Sequence, residues 1–259
     1  MSLTMSRLLS AFLCLLLITV LMPAAHAAPA DLMLPAEVSL RAMISLVESQ
    51  LTSTAQALRV IAASDAAGAG DWDKLAPLLA EVQPPTSGLA WFARPDGTYR
   101  AIGADTTGLS LKDRPYFAKL RAGETAVGDL VTGKFTGRSS VVVAVPVMRD
   151  KQMIGAVGAS IYLDELSRRL TNTLSLPDDW GFWGLDESGK ITTLHILTER
   201  IFLDPSQVGS PSLTLAVHAM LRKPNGVATY TWTDGKRRSI IYRHSELLKW
   251  IFVIDGPKK

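Results

Sequence analysis

The side chains that most often do chemistry are sparse in this sequence, and their spacing does not suit catalysis. Beyond the N-terminal segment there are three histidines, His195, His218 and His244, and no two of them lie three or four residues apart. The chain therefore lacks the histidine pair of a zinc hydrolase, and it also lacks a nucleophile-elbow serine motif and a phosphate-binding glycine loop. We interpret His195 and His218 as structural or surface residues, and we predict a protein that is not an enzyme and holds neither metal nor cofactor.

Two acidic clusters could bind a cation, but neither has the pattern that such a site needs. Asp178-Asp179 follows Pro177, where adjacent acids are usually solvated turn residues. The segment 186–189 begins like a calcium loop but lacks the terminal bidentate glutamate. We interpret both clusters as turns.

Composition and charge place the chain among ordinary folded proteins. Of its 259 residues, 47% are apolar and 20% are charged, which excludes disorder and a multi-span membrane protein. The net charge of +3 is close to balance, and no run of Lys and Arg with interleaved aromatic residues occurs. We therefore expect no nucleic-acid partner.

The first 27 residues have the pattern of a signal peptide. Arg7 precedes a fifteen-residue apolar run at 8–22, and Ala25-His26-Ala27 supplies a small-x-small cleavage site. That run is shorter than the roughly 20 residues that span a bilayer. We predict a periplasmic protein with a leader at 28–35; the alternative is an uncleaved segment that anchors the chain in the inner membrane. Cleavage would also remove Cys14, the single cysteine.

A long N-terminal helix is predicted at 36–65, within a helical region that we assign to 36–70. The segment 36–65 has no Gly or Pro, and its apolar residues recur with a period near 3.5. This apolar stripe consists of Leu40, Ile44, Val47, Leu51, Leu58 and Ile61. Two interpretations fit the stripe: it packs on the helix's own domain, or it also forms a weak side-by-side homodimer.

From residue 88 the pattern changes to strands and tight turns, and one order of elements occurs twice. Each half has a hairpin, with its turn glycine at Gly97 or Gly189, then a short helix and a strand pair preceded by Gly137 or Gly235. The predicted fold class is α+β: a long N-terminal helix followed by two lobes, each an antiparallel sheet flanked by helices.

Several segments, taken in order, resemble the double Cache sensor family, whose PAS-like lobes are found in bacterial extracytoplasmic domains. The resemblance covers about residues 36–256 and is most specific in the first lobe. It rests on 113–117 (Asp-Arg-Pro-Tyr-Phe), 122–124, 127–129, 136–138, 141–147 and 154–166. It implies a membrane-distal-type lobe at 71–176 and a second, smaller PAS-like lobe at 177–259.

The resemblance also implies a ligand site in the first lobe, between the sheet and the helix that carries the Arg-x-aromatic segment. Arg114 would bind a ligand carboxylate, because the planar guanidinium can donate two parallel hydrogen bonds to it. Tyr116 would line the pocket or donate a hydrogen bond to the ligand. The other implied site residues are Trp91, Tyr99 and Ser160, with Lys134 and Ser139 as weaker candidates, for which the alternative is that both face solvent around the turn at 134–138. The alternative for Arg114 is a surface charge at a helix start. We expect Phe182, Trp183, Trp232 and Trp250 to belong to the core of the second lobe or its edge.

The chain departs from the family pattern at two points that bear on the ligand. Ser160 stands where amino-acid-binding members have the aspartate that meets the ligand's ammonium group, and their Pro-Tyr-x-Asp segment is replaced at 130–133. We therefore expect a small mono- or dicarboxylate rather than an amino acid. We predict a sensor that reports this ligand to a membrane signalling protein, because no signalling module follows the second lobe. The alternative is a protein-interaction module with a vestigial pocket.

Overall fold

The computed structural model describes residues 30–82 and 87–258, so the predicted signal peptide lies outside the described residues. Within them, no helix combines the length and the apolarity that crossing a membrane would require. Three helices open the described chain: α1 (Ala30–Ala62), α2 (Asp65–Ala69) and α3 (Trp72–Val82).

The first helix differs from the prediction at both ends. It begins at Ala30, so residues 30–35, which we assigned to a leader before the helix, are part of the helix, with Pro35 inside it. It ends at Ala62, because Ser64 adopts an extended conformation and caps a new helix by accepting a hydrogen bond from the backbone N–H of Ala67. The predicted 36–70 helix is therefore two helices.

The first lobe contains β1 (Gly88–Ala93), β2 (Tyr99–Ala101), α4 (Pro115–Arg121), β3 (Ala126–Thr132), β4 (Ser139–Arg149), β5 (Gln152–Tyr162) and α5 (Leu163–Leu174). Its sheet is antiparallel in the order β2-β1-β5-β4-β3. The β1–β2 turn contains Gly97 at φ 90°, the positive angle that the Asp-Gly pair predicts.

The second lobe repeats this plan. It contains β6 (Gly181–Leu185), β7 (Thr192–His195), α6 (Pro211–Met220), β8 (Asn225–Thr231), β9 (Arg237–His244) and β10 (Ile251–Pro257), with short 3₁₀ turns at Thr198–Arg200 and Pro205–Val208. The strand order β7-β6-β10-β9-β8 matches that of the first lobe, strand for strand. The described chain is thus a duplicated α+β unit behind a long helix, which confirms the predicted fold class.

The helix α1 packs against one face of both sheets. Leu40, Val47, Leu51 and Leu58 are fully buried, in one cluster with core residues of the two lobes. These residues of the apolar stripe therefore pack on their own domain, as the first interpretation of it stated, and the side-by-side homodimer stays a prediction. The opposite face of each sheet has a smaller core of its own, under α4 in the first lobe and under α6 in the second.

Candidate functional site

The start of α4 fixes the direction of Arg114. This residue precedes Pro115, which disfavours a helical conformation before it, and its backbone is extended at φ −77° and ψ 132°. Pro115 then occupies the first helical position, where its missing N–H is not needed. The first turn of α4 directs the side chains of Tyr116 and Phe117 into the core, where they are 2% and 1% exposed. Arg114 lies just before the helix and is half-buried.

The structure brings six of the seven implied site residues around one small cavity on the α4 side of the first sheet. They are Trp91, Tyr99, Arg114, Tyr116, Lys134 and Ser160. The Trp91 indole N–H donates to the Ser160 hydroxyl at 3.2 Å, and the Trp91 and Tyr116 rings lie 6.3 Å apart. The cavity encloses about 20 Å³, which is room for about one water molecule. The first lobe thus brings these six residues together around one cavity, and its own side chains fill most of the space.

Other residues complete this cavity, and Ser139 is not among them. Ser139 begins β4 and pairs with Thr132 of β3. The additional lining residues are Leu89, Leu111, Val131, Gly133, Phe135 and Thr136. Four of these six belong to 131–136, the end of β3 and the start of the turn after it. That turn contains Gly133 and Gly137, which were the available sequence signal that the segment forms a cover.

Two cations lie at this cavity, and they are compensated differently. Lys134 pairs with the Asp113 carboxylate at 2.5 Å, which holds the pKa of Asp113 below its usual value. Arg114 donates to the Thr132 carbonyl at 2.6 Å, and it has no ion pair with any residue of the described chain. Burial raises the pKa of Tyr116, so its hydroxyl stays protonated. An anion near Arg114 would meet a cation that forms no ion pair within the described residues.

The second lobe has a much larger cavity on the corresponding side of its sheet, of about 740 Å³. Strand residues Trp183, Tyr230 and Asp255 line one side of it, and the segment of the two 3₁₀ turns, with Arg200, lines another. Asp178 and Asp179, which we interpreted as turn acids, lie at its edge. No group of three or more His, Cys, Asp and Glu within the described residues could hold a metal ion. Sequence reasoning did not find this cavity.

The sheet registers show that the two cavities occupy equivalent places. In the first sheet Ser160 pairs with Leu89, and in the second Asp255 pairs with Gly181. The residue two positions after Leu89 or Gly181 is a tryptophan in both lobes. The second lobe therefore has an aspartate at the position of Ser160 and a glycine at the position of Leu89, and Asp255 Oδ1 occupies the space that a side chain at Gly181 would need.

Duplicated PAS-like lobes behind one long helix are the fold of extracellular ligand-binding sensor domains. The ligand-binding domain of the Pseudomonas aeruginosa PAO1 amino acid chemoreceptor PctB, in complex with L-Gln, matches with a TM-score of 0.65 and 18% identity over 86% of this chain and 89% of that one. The sensor domain of the Vibrio cholerae histidine kinase DctB matches with a TM-score of 0.65 and 13% identity, over 86% and 96%. The Campylobacter jejuni chemoreceptor Tlp3 with isoleucine bound gives 0.59 and 14%, over 85% and 90%.

Comparisons with models of protein families and with curated proteins found no match. The structural matches, all at low identity, establish that this chain has the double Cache fold. The matched structures are ligand-binding and sensor domains, the non-enzymatic class that the sequence predicted.

Proposed function

We propose that this chain is an exported sensor, not an enzyme, that binds a small carboxylate in its first lobe and passes the signal to a membrane signalling protein. The fold supports a sensor. The ligand class is supported by one observation above all: Arg114 lines the cavity, donates to a neutral backbone carbonyl and forms no ion pair within the described residues. A guanidinium binds a carboxylate through two parallel hydrogen bonds, so an acid would supply the missing charge.

The lining of the same cavity disfavours an amino-acid ligand. It contains no Asp or Glu, and Ser160 already accepts the Trp91 N–H. An α-ammonium group placed there would leave water without a counter-charge, which is costly in a buried site. The L-Gln and isoleucine named with the matched structures belong to those receptors. For this chain we propose a mono- or dicarboxylate without an amino group.

Binding at this site requires the cavity to enlarge. At about 20 Å³ it holds no organic acid, and the segment that covers it includes Phe135, which is 46% exposed. The exposed ring has little packing to lose, so outward movement of the turn at 133–138 is the least costly way to open the site. Opening would also separate Lys134 from Asp113 and free a second cation for the ligand.

A thermal-shift screen of small carboxylates, with L-Gln and L-Arg as comparison ligands, tests this proposal. A ligand at 100 times its dissociation constant stabilises the protein by about 2.7 kcal/mol. Arg114→Ala should weaken binding about ten- to hundredfold, because a charge-assisted hydrogen bond contributes about 1.5–3 kcal/mol. Arg114→Lys should restore part of it, since an ammonium lacks the fork. The control is Arg59→Ala, an exposed arginine on α1. Unchanged affinity in Arg114→Ala would contradict the proposal.

A second candidate function is a protein-interaction module whose first-lobe pocket is vestigial. The observation that favours it is the small volume of that cavity, which Trp91 and Tyr116 fill. The same screen separates the two functions, because a vestigial pocket predicts that no acid produces a shift that depends on Arg114.

We also propose that the chain acts in the periplasm after cleavage behind Ala27. The N-terminal sequence of the exported protein should then begin at Ala28. An exported protein that retains Arg7 would instead support the membrane-anchored alternative.

A further inference from the structure

The cavity of the second lobe has the size of a ligand site as it stands. Its volume of about 740 Å³ falls within the roughly 300–1,000 Å³ of small-molecule pockets. It lies between the sheet and a segment of irregular backbone, where Pro205 and Val208 close one wall. A ligand of one or two rings fits here without any movement of the chain, in contrast to the first lobe.

The walls of this cavity suit a flat apolar body. Three of the chain's six tryptophans line it, namely Trp180, Trp183 and Trp232, together with Tyr230. The rings of Tyr230 and Trp232 meet edge to face, with centroids 6.1 Å apart and an interplanar angle of 78°. Ring faces and edges favour stacked and edge-on contacts with another ring, so these walls select an aromatic ligand.

Arg200 gives this cavity a cation that pairs with no carboxylate of the described residues. The Arg200 guanidinium lies 4.5 Å from the centroid of the Trp232 ring, half-buried, and has no ion pair or side-chain hydrogen bond with any described residue. Arg238 differs, because its Nε donates to the Asp255 carboxylate. Stacking on an aromatic face leaves the N–H edges of Arg200 free to bind a carboxylate in two-pronged fashion.

His195 adds a neutral donor to the same cavity. Its Nδ1 accepts the backbone N–H of Leu197 at 2.9 Å, so the neutral ring carries its proton on Nε2, which has no partner among the described residues. Burial, with a further effect from Arg200, lowers the pKa of His195 to about 3, and the ring is neutral at ordinary pH. It can therefore donate one hydrogen bond to an acceptor without adding charge.

Asp255 does not convert the cavity into an amine site. Its Oδ2 already accepts from the Tyr230 hydroxyl at 2.9 Å and from Arg238, and its side chain is 8% exposed. The carboxylate is therefore compensated, and an ammonium beside it would face the Arg238 charge. Its Oδ1 has no partner in the described chain and is left beside Gly181, available to a neutral N–H or O–H of a ligand.

We propose that the second lobe binds an aromatic carboxylate in this cavity, with the carboxylate on Arg200 and the ring against Trp183 and Trp232. This proposal goes beyond the first-lobe site and does not depend on it. The second lobe, in which the family resemblance is less specific, then has a ligand function of its own. The duplicated unit has two sites of different size.

Titration calorimetry of the full chain with benzoate, phenylacetate and indole-3-acetate tests the proposal, with phenylacetamide as the uncharged counterpart of phenylacetate. We expect at least one of the acids to bind, phenylacetate to bind more tightly than phenylacetamide, and the fluorescence of the lining tryptophans to change. Arg200→Gln should weaken the acid at least about tenfold and leave the amide unaffected. The matched control is Arg222→Gln, an exposed arginine of the same lobe, which should change nothing.

Three results would overturn the proposal. None of the three acids binds at millimolar concentration, the amide binds as tightly as the acid, or Arg200→Gln keeps the affinity of the wild type for the acid. If Arg200→Gln does not fold, Trp232→Ala and the comparison of acid with amide on the unaltered protein still decide the matter, because both report on this cavity directly.

Discussion

Replacing Leu51 by alanine on α1 should destabilise the single chain rather than an assembly of chains. Leu51 is fully buried in the cluster that α1 shares with both sheets. Leu→Ala substitutions in such positions cost about 2–5 kcal/mol, through lost burial and the cavity left behind. That is a large part of the about 5–15 kcal/mol by which native domains are stable.

Urea unfolding measured at two protein concentrations tests this prediction. With a slope of about 3 kcal/mol per molar urea, a loss of about 3 kcal/mol lowers the midpoint by about 1 M. Val60→Ala is the matched control, because Val60 lies on the same helix at 75% exposure and should change the stability by less than about 0.5 kcal/mol. A midpoint that rises with protein concentration in the wild type and loses that dependence in Leu51→Ala would refute the reasoning, since it would place the stripe between two chains.

Two further predictions concern the lobes. His195→Asn should flatten the pH dependence of the free energy of unfolding between about pH 6.5 and 3. In the wild type, His195 is protonated in this range only in the unfolded chain, so the free energy of unfolding falls by up to about 1.4 kcal/mol per pH unit as pH decreases. An unaltered slope in urea unfolding would contradict it. Gly158→Ala should cost about 1–3 kcal/mol, because the new methyl group would overlap the Trp91 ring, which is fully buried. A cost below about 0.5 kcal/mol would show that Trp91 is free to move.

The sequence was sufficient for most of the elements but not for β3. The hairpins, the strand pair β4–β5 and the short helix of each lobe, α4 and α6, follow from periodicity and turn residues. The strand Ala126–Thr132 was missed because its pairing shifts between Val127 and Asp129, around Gly128 at φ 93°, so that its side chains do not alternate regularly. Without that strand, the segment that closes the first-lobe cavity could not be placed.

The two candidate sites differed in how far the sequence could predict them. The first-lobe residues were found through a resemblance, and Trp91 and Ser160, 69 positions apart, could be assigned to one place in advance. Nothing in local patterns brings Arg200 to Trp232 or Gly181 to Asp255. Those contacts depend on the register of the second sheet and on a segment without periodicity, and only the folded chain shows them.

The different volumes of the two cavities follow from the residues around one equivalent strand position, Ser160 in β5 and Asp255 in β10. In the first lobe Ser160 is small and neutral, and it receives the Trp91 indole, which fills the space in front of it. In the second lobe the corresponding acid, Asp255, is held by residues of neighbouring strands. By the sheet registers, its partners Arg238 and Tyr230 occupy the positions of Ser140 and Val131, neither of which could bind a carboxylate in this way.

The Trp183 indole therefore does not bond to Asp255 as the Trp91 indole bonds to Ser160, and its N–H has no partner within the described chain. The glycine opposite Asp255 accommodates the Asp255 carboxylate, where the first lobe has Leu89 opposite Ser160. A compensated acid and an unengaged tryptophan together leave room for a ligand. The lobe without the Arg-x-aromatic segment is the one whose cavity needs no rearrangement to bind.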